Sequence, residues 1–410
     1  MSLDIHSTMS QLYRIASNLQ QERNQSILNL EKAFELLQSA SLSSLQFAIP
    51  DIKSMFYFPW CEPYEEPQIA YPAPNLPLSD FCIHSVDGSH IDTDRNLPLT
   101  CSLINIGEST LIYGTQPDAY LSSHSYIYAG DDELYITDSD SQFHSQRLEG
   151  NLLGLKRAVE EMETLADLIE HSDETLATLG LVDGSLILWQ LGGEGPPPGR
   201  FPPYVRKKLL EETFLPSLER VERIARKHLV SIAGYISMPG SSEVVNLLRL
   251  ILCDYQPHAD CPSHCANIPR GQRHCDGVHS ILDRDLFSRF LNNGERSSVF
   301  KSRSPVVNDY YGSQAIYFFY LHNGKEIARV EIPEWIAQTP TLLNMTHFLL
   351  LDQCSRGNGY PAALQEAHEQ AVINTGDREE FRAMVELALE SSQIPMYTSE
   401  KQTSKRRRWV

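Results

Sequence analysis

The pattern of hydrophobic and polar positions changes character along the chain. From residue 8 to residue 40, apolar residues recur every three or four positions without Gly or Pro, which predicts an N-terminal helix or helical pair. From Phe81 onward, short alternating runs such as "FCIHSVDG", "PLTCSLINIG" and "STLIYG" are separated by Gly, Asn and Asp. These runs predict an antiparallel meander whose strands end at the turn-forming residues.

The second half of the pattern mixes helices with strands. An amphipathic helix is predicted at about 150–170, followed by the nearly continuous apolar run "TLGLVDGSLILWQL", which is typical of a central strand covered on both faces. Further helices are predicted at about 204–227, 339–354 and 361–392, and Asn323-Gly324 predicts a hairpin with a type I′ turn. This order predicts an α/β fold with a central mixed sheet flanked by helices.

Changes in composition divide the chain into four parts. We predict an N-terminal helical segment (1–45), a Pro-rich connector (46–80), a main domain (81–395) and a basic C-terminal tail (396–410), with a Cys-containing insertion at 253–300. No run approaches the roughly 20 apolar residues that a membrane span requires. The first residues also lack the pattern of a signal peptide, so we expect a cytoplasmic protein without membrane association.

The net charge of −19 is the first constraint on partners. It argues against a surface that binds nucleic acid over its whole extent, because backbone phosphates are met by Lys and Arg. Local patches still decide phosphate contact, and the cations Arg206, Lys207 and Lys208, with Arg406 and Arg407 in the tail, are candidate DNA contacts. The alternative is that they belong to solvated helix faces and a solvated tail.

The four letters VDGS occur twice, 96 residues apart, and each copy ends a predicted strand. Alternation places Asp87 and Asp183 at equivalent positions on those strands. If the strands are neighbours, two carboxylates share one end of a sheet, where they repel each other unless a cation lies between them. Mg²⁺ and Mn²⁺ prefer such oxygen ligands. The alternative is that Asp-Gly only ends each strand and that Gly and Ser turn the chain.

The helix between the two copies supplies a third carboxylate. Glu161 falls within its apolar arc, whereas Glu160 points to the opposite side and Glu163 lies just beyond the margin. A carboxylate on a core-facing stripe is costly unless it is paired or bound to a metal. Glu161 is therefore our choice as the third ligand, although a one-residue change in helical phase would select a neighbour.

A second unusual stretch is "GYPAALQEAHEQAV" near the C-terminus. Pro361 suits the first helical position, which places Tyr360 at or near the helix cap. His368 falls within the inward-facing stripe of that helix. A lone His on such a face is either a hydrogen-bonded core residue or, beside a metal centre, a group that holds phosphate or moves a proton, and a Tyr there orients water or phosphate.

Four of the eight cysteines fall within 23 residues: Cys253, Cys261, Cys265 and Cys275. Their spacing, Cys-x₇-Cys-x₃-Cys-x₉-Cys, is looser than the paired Cys-x₂-Cys of standard zinc sites, and His258, His264 and His274 are substitute ligands. A structural zinc, an iron–sulfur cluster and unligated thiols remain open.

Three carboxylates on strand, helix and strand, followed by Tyr-x₇-His, resemble the NurA nuclease family. The resemblance runs from about Phe81 to about Ile373 and rests on "VDGSH", "RAVEEMETL" before "LGLVDGSL", "FFYLHNGKEIARVEIPEWIA" and "GYPAALQEAHEQAV". It implies an RNase H-like core and a Mn²⁺-dependent DNA nuclease with 5′ to 3′ exonuclease activity. The chemistry of the carboxylates adds Mg²⁺ as an alternative metal and two ions as the expected number, and single-strand endonuclease activity is a further expectation. The resemblance also implies a homodimer that works beside a HerA-type hexameric translocase in the repair of DNA ends.

Carried over by position, the resemblance makes Asp87, Glu161 and Asp183 the metal ligands and lets Tyr360 and His368 complete the active site. Two other classes of function remain open. One is a catalytically silent scaffold that docks a translocase, and the other is a structure-specific endonuclease or resolvase on the same core.

Overall fold

The computed structural model describes residues 4–48, 59–93, 99–139, 141–192, 201–256, 258–269 and 271–394. Its first elements are α1 (Ile5–Ser39), α2 (Leu42–Ala48), β1 (Cys61–Pro63), β2 (Phe81–Ile91), β3 (Cys101–Tyr113) and β4 (Asp118–Ala129). The middle of the chain forms α3 (Asp131–Leu134), β5 (Tyr135–Asp138), β6 (Ser141–Arg147), α4 (Asn151–Glu170), β7 (Ala177–Asp183), α5 (Pro203–Arg206), α6 (Leu215–Ala225) and β8 (Val230–Ile236). The remaining elements are α7 (Glu243–Ile251), α8 (Cys261–Cys265), α9 (Asp283–Phe290), β9 (Phe300–Ser302), β10 (Ile316–His322), β11 (Ile327–Pro333), α10 (Glu334–Ala337), α11 (Pro340–Arg356), α12 (Ala362–Ala371) and α13 (Thr375–Ser391).

The chain divides into two compact units, and neither is continuous in sequence. The first unit comprises residues 1–73, 236–308 and 315–331. Its strands lie in the order β1-β9-β10-β11, and its core joins the C-terminal part of α1 to α7, α9 and the sheet through side chains such as Leu37, Leu248, Phe287 and Phe318. The predicted N-terminal helical segment and the predicted Cys-containing insertion therefore pack in the same unit.

The second unit comprises residues 74–235, 309–314 and 332–410. Its strands lie in the order β8-β7-β2-β3-β4. The pairs β2–β7 and β7–β8 are parallel, whereas β2–β3 and β3–β4 are antiparallel. Helices cover both faces of this sheet: Gly88 of β2 faces α4, and its neighbours Asp87 and Ser89 face α12. The predicted mixed sheet flanked by helices is confirmed.

Several local predictions were wrong, and packing explains each of them. "PLTCSLINIG" and "STLIYG" form one strand, β3, because Gly107 lies in its middle under α12 and makes no turn. The first VDGS also lies inside a strand, since β2 continues to Ile91. The second copy does end its strand: β7 stops at Asp183, and Gly184 turns the chain at φ +129°.

The C-terminal elements differ in a similar way. The helix predicted at 361–392 is interrupted, because the side chain of Asn374 accepts hydrogen bonds from Gly376 N (2.7 Å) and Asp377 N (3.2 Å) and so starts α13. Pro361 is the N-cap of α12 and precedes its first helical residue. The loop at Asn323 has a positive φ only at Gly324, so the hairpin exists without the type I′ turn.

Within the described residues, no helix combines the length and apolar character needed to cross a membrane.

Candidate active site

The side chains of Asp87 and Asp183 lie side by side where the parallel pairing of β2 and β7 ends. The β2–β7 register pairs Val86 with Val182, so Asp87 and Asp183 are the next residues on neighbouring strands. β7 ends there, whereas β2 continues for four more residues beside β3. The end of β7 thus opens a notch in the sheet, and both Asp side chains lie at its margin.

Glu161 reaches this region from the face of the sheet that α4 covers, opposite to the face that α12 covers. It lies on α4, its side chain is 3% exposed, and its Oε1 would be 2.5 Å from a Cβ added at Gly88. A side chain at position 88 would displace the Glu161 carboxylate and the Arg157 side chain from this space. The Gly of the first VDGS therefore makes room for Glu161 instead of turning the chain.

Helix α12 and the turn before it supply the other two groups. His368 Nδ1 lies 2.6 Å from Asp87 Oδ2, and the side chain of His368 is 59% exposed. Tyr360 donates a hydrogen bond to Asp183. Its ring also packs edge-to-face on the buried Tyr235, with centroids 5.6 Å apart. Tyr235 pairs with Asp183 across β7 and β8, so it fixes the ring whose hydroxyl contacts that carboxylate.

Polar contacts and one glycine hold α12 against the sheet. Ser85 Oγ donates to Ala363 O (2.6 Å), Ser89 Oγ donates to Ala371 O, and Asn105 Nδ2 donates to Ala371 O (2.9 Å). Gly107 lies directly opposite Asp87, and a Cβ there would be 2.3 Å from Ala367 O and 2.4 Å from Ala371 N. The close approach of helix and strand is what lets His368 reach Asp87.

The buried carboxylate of Glu161 is incompletely neutralised. Burial raises its pKa to about 8, the charges of Asp87 and Asp183 raise it as well, and Arg157 opposes them. Arg157 Nε lies 3.2 Å from Glu161 Oε1, but neither atom has a partner in hydrogen-bonding geometry among the described residues. Partial desolvation and the nearby Asp87 also raise the pKa of Asp183, and the bond from Tyr360 opposes that change.

These features fit a divalent cation bound by oxygen ligands. A buried carboxylate oxygen without a hydrogen-bond donor is costly unless a cation satisfies it, and carboxylates are the ligands that Mg²⁺ and Mn²⁺ prefer. Within the described residues, no three His, Cys, Asp or Glu side chains are already close enough to hold a metal ion. Asp87, Glu161 and Asp183 would therefore have to draw closer around an ion.

The electrostatics predict how stability depends on pH in metal-free protein. Because folding raises the pKa of Glu161 above its unfolded value, its protonated form stabilises the fold fully below about pH 4.5, and this stabilisation is lost as pH rises towards 8. In EDTA, the melting temperature of the Glu161→Gln variant should fall less between pH 5 and pH 8 than that of the wild type. Thermal melts test this, with the exposed Glu219→Gln as the control, and parallel curves for wild type and Glu161→Gln would contradict it.

The neighbouring carboxylates of α4 lie elsewhere. Glu160 accepts a hydrogen bond from Tyr128 and pairs with Lys156 at 3.1 Å, and burial raises its pKa to about 8. Burial also raises the pKa of Glu163, which lies with Glu160 in a separate surface groove between α4 and the β3–β4 pair. Of the three glutamates, Glu161 is the one directed at Asp87 and Asp183.

The four cysteines of the predicted zinc or iron–sulfur site form no disulfide in the described part of the chain. They do not form a metal-holding group with any neighbouring His, Asp or Glu in the described part of the chain. Two of the proposed substitute ligands have other partners: His264 stacks on Tyr255, and His274 Nδ1 lies 3.0 Å from Asp254. The structure gives this site no support, and it stays a prediction.

Basic residues proposed as DNA contacts are mostly paired with acids. Arg206 pairs with Glu211 (3.2 Å) and stacks on Tyr310, and Lys208 pairs with Glu212 (3.2 Å). Lys207 is exposed. Arg406 and Arg407 lie outside the described residues. The residues at 206–208 therefore offer less free positive charge than the sequence indicates, because glutamates follow them on the same helical stretch.

Sequence reasoning missed four residues that build the site: Gly88, Gly107, Arg157 and Tyr235. Arg157 lies one helical turn before Glu161, which is a readable i,i+4 signal. The functions of Gly107 and Tyr235 depend on contacts with α12 and with the turn before it. No local pattern encodes contacts between elements so far apart in the chain.

The chain matches one domain family and is similar to two crystal structures. The NurA domain model matches residues 82–373. The crystal structure of NurA with manganese is similar at 12% identity and a TM-score of 0.34, over 77% of this chain and 90% of that one. The crystal structure of Drosophila Piwi is similar at 8% identity and a TM-score of 0.26, over 72% of this chain and 30% of that one.

A search of curated proteins gave no significant match. The domain match spans both Asp-Gly-Ser elements, α4 and the Tyr–His element, which is most of the chain. On that basis, the chain belongs to the NurA family of nucleases.

Proposed function

We propose that this protein is a DNA nuclease that depends on Mn²⁺ or Mg²⁺ and hydrolyses phosphodiester bonds at DNA ends. One observation carries the proposal: Asp87 and Asp183 occupy neighbouring positions on the parallel strands β2 and β7, beside the buried Glu161, whose Oε1 lacks a hydrogen-bond partner in the described structure. Such a set of oxygen ligands is costly without a cation and suitable for one.

The strand order of the second unit supports an RNase H-like core. Three antiparallel strands, β2, β3 and β4, are followed through α4 by β7, which returns parallel to β2. Asp183 lies at the carboxyl end of β7, where ligands bind in open α/β sheets, and Asp87 lies beside it on β2. The topology therefore supports a catalytic site at this position.

A divalent ion at such a site lowers the pKa of an attacking water and stabilises charge on the phosphate. We propose that two such ions act here, held by Asp87, Glu161 and Asp183. Arg157 partly balances the charge of Glu161.

His368 and Tyr360 complete the proposed chemistry. With Nδ1 donating to Asp87, His368 turns Nε2 towards solvent, where it is able to exchange a proton with water or contact a phosphate oxygen. Tyr360 orients Asp183 through its hydroxyl. These roles need no movement of α12, because its contacts with Ser85, Ser89 and Asn105 already fix both side chains.

Finer features of the function rest on the family resemblance. We propose 5′ to 3′ exonuclease activity in the repair of DNA ends, cytoplasmic location, assembly as a homodimer and cooperation with a HerA-type hexameric translocase. Presence of all five site residues in one cluster argues against the silent scaffold. A structure-specific endonuclease differs from an exonuclease in its products.

The deciding experiment uses linear DNA labelled at the 5′ or the 3′ end, single- or double-stranded, with Mn²⁺, Mg²⁺ or EDTA. Progressive loss of DNA that stops in EDTA supports the nuclease, and immediate release of the 5′ label as mononucleotide supports the proposed polarity. Discrete internal products from branched DNA, with linear DNA intact, would favour the structure-specific endonuclease. DNA that stays intact under every condition would refute the nuclease proposal.

A further inference from the structure

The edge of β2 beyond Asp87 is open on the side where β7 has ended. In the described residues, this part of β2 pairs only with β3. Two backbone carbonyls on the open edge accept side-chain hydrogen bonds instead: Arg157 donates to Gly88 O (2.7 Å), and Arg378 donates to His90 O (3.1 Å). Two guanidinium groups from α4 and α13 thus line the edge that leads away from the proposed metal site.

The two guanidinium groups differ in their acidic partners. Arg157 lies 3.2 Å from Glu161, and other cations of the same unit are also paired, such as Arg220 with Asp167 and Glu170. By contrast, Arg378 is exposed and forms no ion pair with any described carboxylate. The chain has a net charge of −19, so a cation without an acidic partner is available for an anionic ligand.

His90 adds a second unsatisfied group at the same place. Its Nδ1 is buried and has no hydrogen-bond partner among the described residues, and the charges of Arg157 and Arg378 both act on its ring. The nearby Asp92 is occupied, since its oxygens accept from Gly150 N and Thr93 N, each at 2.8 Å. The edge therefore presents one guanidinium group without an ion pair and one buried ring nitrogen without a hydrogen-bond partner in the described structure.

We propose that Arg157, His90 and Arg378 bind a backbone phosphate of the DNA strand, next to the phosphate being hydrolysed. His90 lies three residues beyond Asp87, roughly 10 Å along the strand, which places this phosphate on a neighbouring nucleotide. Guanidinium groups suit this ligand because each presents several N–H donors in one plane. The inference rests on the proposed nuclease function and supplies its strand-binding site.

The test separates DNA binding from hydrolysis. Affinity of the full-length protein for fluorescein-labelled oligothymidylate is measured by anisotropy in EDTA over a range of KCl concentrations. Arg378→Gln should weaken binding at low salt and reduce the slope of log K against log[KCl] by about 0.7, the value for one phosphate contact on a single strand. Arg378→Lys keeps the charge and should restore most of the slope.

The control is Arg356→Gln, which removes the same charge from an exposed side chain. Arg356 stacks on Tyr113, which pairs with Phe81 at the other end of β2, roughly 30 Å from His90. The Arg356→Gln variant should keep the wild-type slope of log K against log[KCl]. A wild-type slope for Arg378→Gln would overturn the proposed phosphate site and indicate that Arg378 only covers a strand edge. That result leaves metal-dependent cleavage by wild type unaffected, so the two proposals fail separately.

Discussion

Replacing Asp183 with Asn is expected to abolish metal-dependent cleavage of DNA while leaving the fold intact. Asn has the same shape and keeps a hydrogen bond with Tyr360, but it lacks the charge that a divalent cation requires. Because a bound metal contributes several kcal/mol to transition-state stabilisation, we expect the rate to fall roughly 10³-fold or more. Initial rates on end-labelled DNA at saturating Mn²⁺ measure the effect.

The matched control is Asp167→Asn on α4. Asp167 is 60% exposed and pairs with Arg220, so its loss should change stability by less than about 1 kcal/mol and leave the rate unchanged. Because Asp183 is exposed, the Asp183→Asn variant should keep the wild-type melting temperature in EDTA within a few degrees. Equal cleavage by wild type and Asp183→Asn would show that the hydrolytic site lies elsewhere.

The second large effect is expected from Gly107→Ala, which adds a single methyl group outside the catalytic set. The added Cβ would meet the backbone of α12 at Ala367 O and Ala371 N, neither of which is able to rotate away. Overpacking of this kind costs about 3 kcal/mol. The helix must move outward, and a displacement of about 1 Å at His368 is enough to reduce the rate by about 10²-fold.

Gly154→Ala provides the control for adding a methyl group to this unit. No atom lies within 4 Å of a Cβ at Gly154, and Ala in the interior of α4 should stabilise the helix by about 1 kcal/mol. Urea unfolding and DNA cleavage are measured on both variants. If Gly107→Ala retains both stability and activity, α12 does not depend on this close contact for the position of His368.

The two VDGS copies show what the sequence predicts and what it does not. Alternation predicts equivalent positions for Asp87 and Asp183 on their strands, because the side-chain period of a strand depends only on local geometry. The pairing of β2 with β7, which alternation does not predict, makes these positions neighbours. The same letters nevertheless have different structures. Gly88 remains inside β2 because Glu161 needs its space, whereas Gly184 ends β7 with a positive φ.

Long-range contacts account for the rest. The sequence places Glu161 on an inward face of α4, since helical period is also a local property. The sequence predicts a turn at Gly107, because it does not reveal that the missing side chain makes room for α12, a helix more than 250 residues later. The cysteine spacing was ambiguous for a related reason: whether four thiols converge depends on the path of the segment, which spacing does not determine.

We infer that Asp87, Glu161 and Asp183 together hold the divalent cation. Anomalous diffraction at the manganese edge, from crystals of the wild-type protein grown with Mn²⁺, shows where the cation binds. We expect manganese peaks bonded to oxygens of Asp87 and Asp183 at the end of β7, with Glu161 turned from Arg157 to the metal. Manganese bound only elsewhere, or no manganese at these carboxylates in protein that degrades DNA, would contradict it.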